Sequence, residues 1–356
     1  MSTTAVELGT VLDFFNGKAP PNDEDGDFVV YGSNGTIGKA KTTNHENAII
    51  LGRVGAYCGS VEFCDEKFWA SDNTIVVKTR DGFDLKYMYY RLKSFPLRSY
   101  AGGAAQPLLT QTILRGVRLP VVKDKNRQLK IAAILSAYDD LIENNRRRIQ
   151  LLEQAARLLY KEWFVHLRFP GHEHTRTIDG VPEGWERQSL GEFATILKGK
   201  NITKETIEEG DVPVVAGGLK PAYYHNAANA SGPVITVSAS GANAGHVALY
   251  HQDVWASDCS YLSSSDNSEI WFLYLSMKYC QAEITGMQQG AAQPHVYPKH
   301  LKRLGLLLPS RNLRDLFKET VEVCFLQIAN LEKQTEKLAK ARDLLLPKLM
   351  NGEMVV

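Results

Sequence analysis

Two long segments of the chain carry apolar residues at alternating steps of four and three. The seam of the first segment contains a single polar residue and runs through Ile131, Leu135, Tyr138, Ile142, Asn145, Ile149, Leu152, Ala156, Leu159 and Trp163. The seam of the second runs through Phe317, Val321, Cys324, Ile328, Leu331, Thr335, Leu338, Arg342, Leu345 and Leu349. A mean spacing of 3.5 residues is typical of coiled-coil packing. The pattern therefore predicts two long helices, within 125–165 and 311–356.

Each seam needs a partner helix, because burial of one large apolar side chain is worth about 1.5 to 3 kcal/mol. The simplest partner for each seam is the other. We predict an intramolecular antiparallel pair, since two copies related by a two-fold axis run their helices in opposite directions and place their globular domains at opposite ends. The same heptads would also suit an oligomerisation device, and the polar Asn145 would set the register of either arrangement.

The segments ahead of the two helices carry shorter apolar runs. The runs at 48–51, 74–77 and 233–237 have the composition of β-strands. Each copy then continues into a helix, for which Asp84 or Ser268 is the expected N-cap. A mixed α/β domain is predicted before each long helix.

Short motifs indicate that the two domains are copies of one module. Trp-Ala-Ser-Asp occurs at 69–72 and again at 255–258, and Gly-Ala-Ala-Gln-Pro occurs at 103–107 and again at 290–294. Leu-Gly and Leu-Pro pairs extend the match towards both ends of the copies. Collinear matches with a slowly drifting offset indicate an internal duplication.

The predicted fold class is therefore α+β. Two mixed α/β domains are separated by two long antiparallel coiled-coil helices, with an internal pseudo-two-fold repeat. The expected boundaries are a first domain at 1–124, a first helix at 125–165, a linker at 166–186, a second domain at 187–310 and a second helix at 311–356.

Composition narrows the class of protein without deciding its function. Hydrophobic residues at 44% and charged residues at 23% are typical of folded globular proteins. A formal net charge of +1 neither favours nor excludes a nucleic-acid partner. The five cysteines include no Cys-x-x-Cys pair, so neither a zinc site nor a disulfide framework is expected. Without an export signal or an apolar run long enough to cross a bilayer, a cytoplasmic protein with no membrane contact is predicted.

Motifs for methyl transfer, nucleotide hydrolysis and metal binding are missing from the sequence. The Asp/Asn-Pro-Pro-Tyr/Phe motif, which holds a flipped base beside a methyl donor, is absent, and the nearest string is Ala-Pro-Pro-Asn at 19–22. A P-loop is excluded because Ser33 stands at its first glycine and Ala40 at its hydroxyl residue. His246 and His251 lack acidic or thiol neighbours at ligand spacing. The chain is expected to be non-catalytic and to bind no metal.

Several stretches around the linker closely resemble the central region of type I restriction-modification specificity subunits. They are Leu-Tyr-Lys-Glu-Trp-Phe-Val at 159–165, Arg-Phe-Pro-Gly-His-Glu at 168–173, Pro-Glu-Gly-Trp-Glu at 182–186 and Leu-Gly-Glu at 190–192. The Gly-Ala-Ala-Gln-Pro loops and the closing Leu-Pro-Lys-Leu-Met-Asn-Gly-Glu at 346–353 are also similar to that family. The resemblance covers essentially the whole chain.

The resemblance implies a subunit with two target recognition domains, each reading one half of a split sequence in double-stranded DNA, with the helices fixing the gap. In that family the specificity subunit catalyses nothing. Two modification subunits dock on its helical regions and methylate adenine with S-adenosylmethionine, and restriction subunits join them to cleave DNA with ATP and Mg²⁺. No cofactor is expected in this chain.

Loop residues with amide, hydroxyl or cationic groups are the candidates for DNA contact, because such groups read base edges and hold phosphates. In the first domain the candidates are Ser33, Asn34, Lys39, Lys41, Arg53 and Gln106, with Tyr31 and Tyr57 bordering them. In the second domain they are Lys220, Tyr223, Ser238, Ser240, Asn243, His246, Gln293 and His295. A solvated loop side chain is the alternative for each of them.

The repeated motifs are expected to serve the fold, with Trp69 and Trp255 in equivalent cores and Asp72 and Asp258 at turn amides. The candidate loops otherwise share few side chains, so an asymmetric target with two different half-sites is predicted. Two alternatives remain open: a coiled-coil scaffold whose globular ends bind protein, and the recognition partner of a fused restriction and modification enzyme.

Overall fold

The computed structural model contains two compact units. It describes residues 3–21, 25–103, 106–290, 294–354 and 356. The first unit is Met1–Asn144 with Gln334–Val356, and the second is Asn145–Lys333. Each long helix has one part in each unit.

The first unit combines a sheet with short helices and one part of each long helix. Its strands are β1 Thr4–Glu7, β2 Leu12–Asn16, β3 Phe28–Gly32, β4 Gly35–Ala40, β5 His45–Gly52, β6 Val61–Ala70, β7 Thr74–Thr79 and β8 Arg118–Val121. Its helices are α1 Leu8–Val11, α2 Leu85–Lys93, α3 Gln111–Gly116 and the beginning of α4 Lys125–Tyr160, with 3-10 turns at Gly55–Tyr57 and Leu97–Tyr100.

The second unit starts within α4, which continues into a π-helical turn at Lys161–Val165. Its strands are β9 Thr177–Ile178, β10 Val181–Pro182, β11 Glu186–Ser189, β12 Leu197–Lys198, β13 Val212–Val215, β14 Tyr223–His225, β15 Val234–Ser238, β16 Val247–Tyr250, β17 Trp255–Ala256, β18 Cys259–Ser263 and β19 Gly305–Leu308. Its helices are α5 Leu190–Phe193, α6 Ile270–Tyr279, α7 Gln281–Gly286, α8 Pro298–Leu301 and the beginning of α9 Arg311–Met350, with 3-10 turns at His172–His174 and Lys204–Thr206. Within the described residues, no helix has the length and apolar character that spanning a membrane requires.

The two units share one strand order. In the first, a six-stranded sheet has the order β2-β7-β5-β6-β3-β4, in which only β3 and β6 run parallel. In the second, the sheets β12-β18-β15-β16 and β17-β13-β14 repeat this order, with β13 and β17 parallel. The long strand β6 is thus represented in the second unit by β16 and β17. The predicted α+β class and internal repeat are confirmed.

In the first unit, both long helices complete the core of the domain. Ile131 and Leu135 of α4 and Leu349 of α9 belong to the same buried cluster as side chains of the six-stranded sheet and α2. The carboxylate of Asp139 in α4 pairs with the guanidinium of Arg342 in α9. The contacts advance along α4 while they retreat along α9, so the two helices run antiparallel within this unit.

The second unit contains the same antiparallel contact between α4 and α9. The ring of Trp163 lies 5.5 Å from that of Phe317. Farther along α9, desolvation and then the Glu153 carboxylate raise the pKa of the Glu332 carboxyl to about 7. Glu153 and Glu332 occupy equivalent positions of the repeated Ile-x-x-Leu-Glu stretches. The Glu153 and Glu332 carboxylates are therefore near enough to repel each other electrostatically within this unit.

The predicted seams are buried at most positions, but they do not form a pure coiled coil. Along α9, Val321 and Ile328 are buried as predicted, whereas the seam residue Cys324 is only partly buried. Its neighbour Phe325 is buried instead and stacks on Trp271 of α6, with ring centroids 4.5 Å apart. The reason is that this part of α9 packs against its own domain as well as against α4. These helices therefore contribute to the domain cores as well as to the predicted helix pair.

One of the two predicted helix caps is present. The Asp84 carboxylate accepts a hydrogen bond from the Tyr87 backbone N–H at 2.7 Å, so it caps α2. Ser268 does not cap α6, because the helix begins one residue later and Glu269, which makes no side-chain capping bond, is its N-cap. The Glu269 carboxylate instead pairs with Arg314 of α9 at 2.7 Å.

A histidine lies beside the stacked rings of the second unit. The His251 ring centroid is 5.9 Å from Trp271 and 6.1 Å from Phe325. Burial, assisted by the Lys333 ammonium, lowers the pKa of His251 to about 4. The imidazole is therefore neutral in the folded protein at pH values where an unfolded chain would protonate it.

We predict that His251→Phe makes the second unit less sensitive to acid. The folded pKa of about 4 lies below the unfolded value of about 6.5, so between these values the unfolded state binds more protons. The contribution is fully present above pH 6.5 and is lost as pH falls towards 4, by up to about 2 kcal/mol at pH 5. The melting temperature of the wild-type chain should drop further between pH 7 and pH 5 than that of the variant. Equal drops would contradict the assignment.

Candidate nucleic-acid interface

One loop backbone is built twice, once in each unit. In loop 52–60 the Gly55 N–H donates to Pro107 O at 3.0 Å, and in loop 238–246 the Gly241 N–H donates to Pro294 O at 3.2 Å. Two bonds close the first loop, from Gly59 N–H to Gly52 O and from Cys58 N–H to Gly55 O. Both recur in the second loop at residues 186 positions later. A displacement of 186 therefore pairs every position of loop 52–60 with one of loop 238–246.

Two glycines fix the shape of each loop. Gly55 and Gly59 have φ of 74° and 87°, and the equivalent Gly241 and Gly245 have φ of 78° and 84°. This left-handed region favours glycine because a side chain there is strained. A Cβ on Gly59 would also lie 2.7 Å from the backbone nitrogen of Arg98. The backbone is thus constrained at the same positions in both loops, while the residues between are free to differ.

The base of the first loop is held by backbone groups of neighbouring turns. The Arg53 N–H donates to Asn73 O at 2.9 Å. The Ser33 hydroxyl donates to Asn73 O at 2.7 Å, and the Ser60 hydroxyl donates to Ser33 O at 2.7 Å. The turn at 33–34, the turn at 71–73 and loop 52–60 therefore meet at one end of the six-stranded sheet.

Two side chains of the first loop remain available to a partner. The half-buried Arg53 makes one weak bond, from Nη1 to Asp72 O at 3.4 Å. Its Nε is buried without a hydrogen-bond partner among the described residues, so only the outer end of the guanidinium can face a partner. Tyr57, at the tip of the loop, is 59% exposed. A guanidinium with unused donors can contact guanine edges or phosphates, and an exposed phenol can donate or accept a hydrogen bond.

The second loop offers different groups on the same backbone. Asn243 and His246 occupy the positions of Tyr57 and Ser60 in the first loop. Ser240 occupies the position of Val54, and its hydroxyl donates to the Asp258 carboxylate. Burial and then the Lys278 ammonium lower the pKa of His246, so at pH 7 its imidazole is neutral and offers one donor and one acceptor.

The remaining candidates of the second unit lie close to this loop or serve its structure. His295 pairs with Ser240 through a β-bridge and stacks on Tyr297, with ring centroids 5.6 Å apart. Ser238 is buried, and its hydroxyl donates to Gly217 O at 3.1 Å, so it holds the loop rather than facing a partner. The exposed Lys220 belongs to the turn that contains Gly217.

Tyr223 follows that turn as the first residue of β14, which is an edge strand. It is 39% exposed, and the Lys204 ammonium lies 5.6 Å from its ring centroid. Tyr223 therefore lies on an edge strand, next to the turn that holds the second loop through Gly217.

Not every candidate of the first unit belongs to the cluster. Asn34 is exposed at the turn between β3 and β4. Lys39 pairs with Val29 at the far end of β4, about 16 Å along the strand from Asn34 at roughly 3.3 Å per residue. Lys41 lies beyond it and is exposed. Strand β4 therefore carries the two lysines away from the loop.

Of the two repeated glutamines predicted to contact DNA, the structure describes only Gln106. Gln106 is exposed and precedes Pro107, whose carbonyl accepts the bond from Gly55, so it lies next to the first loop. Gln293 lies outside the described residues. Tyr57 was predicted only to border the candidates, yet it lies at the tip of the loop, whereas Lys39 lies far from it. The sequence contains the signal for this, because Tyr57 is the residue 186 positions before the candidate Asn243.

The repeated Trp-Ala-Ser-Asp motifs brace the sheet beneath each loop. Trp69 and Trp255 are half-buried rather than in the cores as predicted, and their indole N–H groups donate to Lys18 O at 3.0 Å and Lys200 O at 2.8 Å. No group of three or more His, Cys, Asp or Glu side chains in the described part of the chain is placed to hold a metal ion.

Two equivalent asparagines hydrogen-bond to the backbone of these motifs. The Asn44 side chain accepts from Ala70 N–H at 2.7 Å and donates to Ala70 O at 3.0 Å. The Asn229 side chain accepts from Ala256 N–H at 2.7 Å and donates to Ala256 O at 2.9 Å. Each amide therefore satisfies both backbone groups of one alanine next to the loop turns.

Comparison with known proteins finds one family. A family model described as the type I restriction modification DNA specificity domain matches residues 3–154 and 182–313. The chain is 28% identical over 309 residues to the type I restriction enzyme MjaIX specificity subunit of Methanocaldococcus jannaschii, covering 78% of this chain and 71% of that protein. It is 24% identical to a putative type I specificity subunit of Mycoplasma pneumoniae, covering 97% of this chain and 95% of the relative.

A solved structure shares the fold. The crystal structure of the S subunit of a type I restriction-modification system from M. genitalium superposes with a TM-score of 0.68 at 22% sequence identity. The match covers 98% of this chain and 99% of the other.

We predict that Asn44→Ala and Asn229→Ala each lower the free energy of unfolding by about 1–3 kcal/mol. Each leaves one alanine N–H without a partner, while the alanine C=O keeps its bond from the Lys18 or Lys200 backbone N–H. Asn→Asp at either position should cost less, since a carboxylate can still accept the alanine N–H. Urea denaturation followed by circular dichroism would measure the loss, with the exposed Asn34→Ala as the matched control. A loss in only one of the two units would contradict the equivalence of their frames.

Proposed function

The chain belongs to the type I restriction modification DNA specificity family, and we propose that it reads a bipartite, asymmetric sequence in double-stranded DNA, one half with each domain. DNA target recognition without catalysis is the role of this family's specificity subunits. The reading groups in the proposal are Ser33, Asn34, Arg53, Tyr57 and Gln106 in the first unit, and Lys220, Tyr223, Ser240, Asn243, His246, Gln293 and His295 in the second. Lys39 and Lys41, at the far end of β4, would contact phosphates.

The observation that carries this proposal is the loop backbone that occurs twice with different side chains. A shared backbone at the end of each sheet would approach two half-sites in the same way. Arg53 and Tyr57 in one loop, against Asn243 and His246 in the other, would then select different bases, because each base pair presents its own pattern of donors and acceptors in the major groove. The asymmetry of the target follows from these side chains.

The partners in the proposal are two modification subunits, which would methylate adenine, and restriction subunits, which would cleave DNA. S-adenosylmethionine, ATP and Mg²⁺ would be bound by those partners, all in the cytoplasm. The long antiparallel helices would hold the modification subunits and set the gap between the half-sites. The domain boundaries proposed for this arrangement are those drawn from the sequence, with the helices at 125–165 and 311–356.

We expect co-expression of the chain with its modification subunit, in a host without other DNA methylation, to produce one split and asymmetric methylated motif. Sequencing that detects methylated bases directly would identify it, and co-purification would establish that the complex forms. A complex that forms without creating any new methylated motif would refute DNA reading and favour a coiled-coil scaffold that binds protein.

We further expect Arg53→Ala to relax base preference within one half-site, at a cost of about 1–3 kcal/mol in binding, because one bidentate base contact is worth that much. The other half-site should be unaffected. Fluorescence anisotropy at fixed salt, with duplexes altered in either half of the motif, would measure this.

Arg118→Ala is the matched control for Arg53→Ala, since it removes the same charge from an exposed strand position that makes one long ion pair, with Glu7 at 3.8 Å, among the described residues. If Arg53→Ala instead weakened binding to all sequences alike, Arg53 would hold a phosphate and would not read a base.

A further inference from the structure

The second unit contains a cavity of about 390 Å³ away from the loop tip, between the end of α4 and the junction of α6 with α7. Its walls include Arg157, Tyr160, Lys161, Lys278, Tyr279 and Gln281. The volume lies within the range of small-molecule pockets. Three of these side chains are cationic and none of the lining residues is acidic.

The positive charge in this cavity is only partly compensated. Arg157 pairs with Glu153 at 2.9 Å. The half-buried Lys278 donates to two neutral acceptors, Val247 O at 2.7 Å and the Gln281 side-chain oxygen at 3.5 Å. Desolvation and the nearby Arg157 lower the pKa of Lys278. The Glu153 carboxylate, which pairs with Arg157, partly offsets this effect on Lys278. Among the described residues no direct ion pair joins a carboxylate to Lys278 or Lys161, so the desolvated ammonium is only partly compensated.

Two aromatic rings form the apolar part of the wall. The centroids of Tyr160 and Tyr279 are 6.0 Å apart, and Tyr279 is 49% exposed, so its ring is accessible from the opening. Cationic groups beside exposed rings suit a ligand that carries both an anionic group and a flat apolar body.

The equivalent positions of the first unit carry no cation. The Leu-Leu pair at 158–159 matches the pair at 344–345, and this displacement of 186 places Asp343 opposite Arg157 and Pro347 opposite Lys161. Helix α2 ends with a bond from Ser94 N–H to Tyr90 O, and α6 ends with the equivalent bond from Cys280 N–H to Ser276 O. Alignment of the two helices on these bonds places Leu92 opposite Lys278. The first unit therefore has an acid, a proline and a leucine where the second has its three cations.

We propose that this cavity binds a phosphate group, held by Lys161, Lys278 and Arg157, with the ring of Tyr279 against the rest of the ligand. The phosphate would belong either to a nucleoside monophosphate or to the backbone of bound DNA. The cavity is also connected to the second loop, because the Gln281 side chain accepts from Val247 N–H at 3.0 Å and donates to Gly245 O at 2.8 Å. Occupancy would thus steady the base of loop 238–246.

The first test uses the full-length chain and inorganic phosphate, AMP and adenosine as probes in isothermal titration and thermal-shift assays. Phosphate and AMP should bind and raise the melting temperature, whereas adenosine should bind at least tenfold more weakly. Lys161→Met and Lys278→Met should each weaken AMP binding at least tenfold, and Lys318→Met, a lysine of α9 outside the cavity, should not. Lys161 is exposed, so its variant keeps the test valid if Lys278→Met fails to fold.

The second test distinguishes the source of the phosphate and rests on the proposed function. The slope of log affinity for duplex DNA against log salt concentration should fall by about one in Lys161→Met if the cavity holds a backbone phosphate. An unchanged slope with AMP binding assigns the cavity to a free nucleotide. Equal binding of adenosine and AMP, or neither AMP binding nor a changed slope, would overturn the phosphate site. A wild-type chain that binds no DNA would refute the proposed function and leave the AMP result to decide the cavity.

Discussion

Burial of the long helices in the domain cores is the constraint on which the rest of the structure depends. Ile131 and Leu349 are part of the core of the first unit, and Phe317 and Phe325 are part of the core of the second. A core that lost one of these side chains would lose about 2–5 kcal/mol, a large share of ordinary domain stability. Each domain is therefore stable only with both helices in place, and each helix is ordered by the domains it completes.

Given these cores, the two loops are fixed at their bases and variable in between. The left-handed glycines at 55, 59, 241 and 245 and the bonds to the Pro107 and Pro294 carbonyls define one backbone. None of these constraints involves the side chains of Arg53, Tyr57, Asn243 or His246. Substitution there changes what the loop can bind without changing how it folds. The separation of backbone constraint from side-chain identity is what the proposed reading of two different half-sites requires.

The sequence predicted what depends on local pattern or on repetition. Heptad spacing predicted both helices, and the Asp84 cap depends on a single local bond. Prediction from the sequence failed where a residue's position depends on packing against residues that are distant in the chain. Cys324 fits the heptad, but Phe325 is buried because Trp271 lies beside it. Lys39 is close to the loop in sequence and far from it in space, because an extended strand carries it away. The Ser268 cap failed because α6 begins one residue later, at a position whose side chain pairs with α9.

The difference between the two units extends beyond the loops. Duplicated domains that served only to present two loops would be free to keep identical helix ends, yet Arg157, Lys161 and Lys278 stand opposite Asp343, Pro347 and Leu92. A desolvated lysine that is only partly compensated costs stability, and the first unit has Leu92 at the equivalent position. The cationic helix end of the second unit is thus a difference between the two units that the loops do not explain, and it is the basis for the phosphate site proposed above.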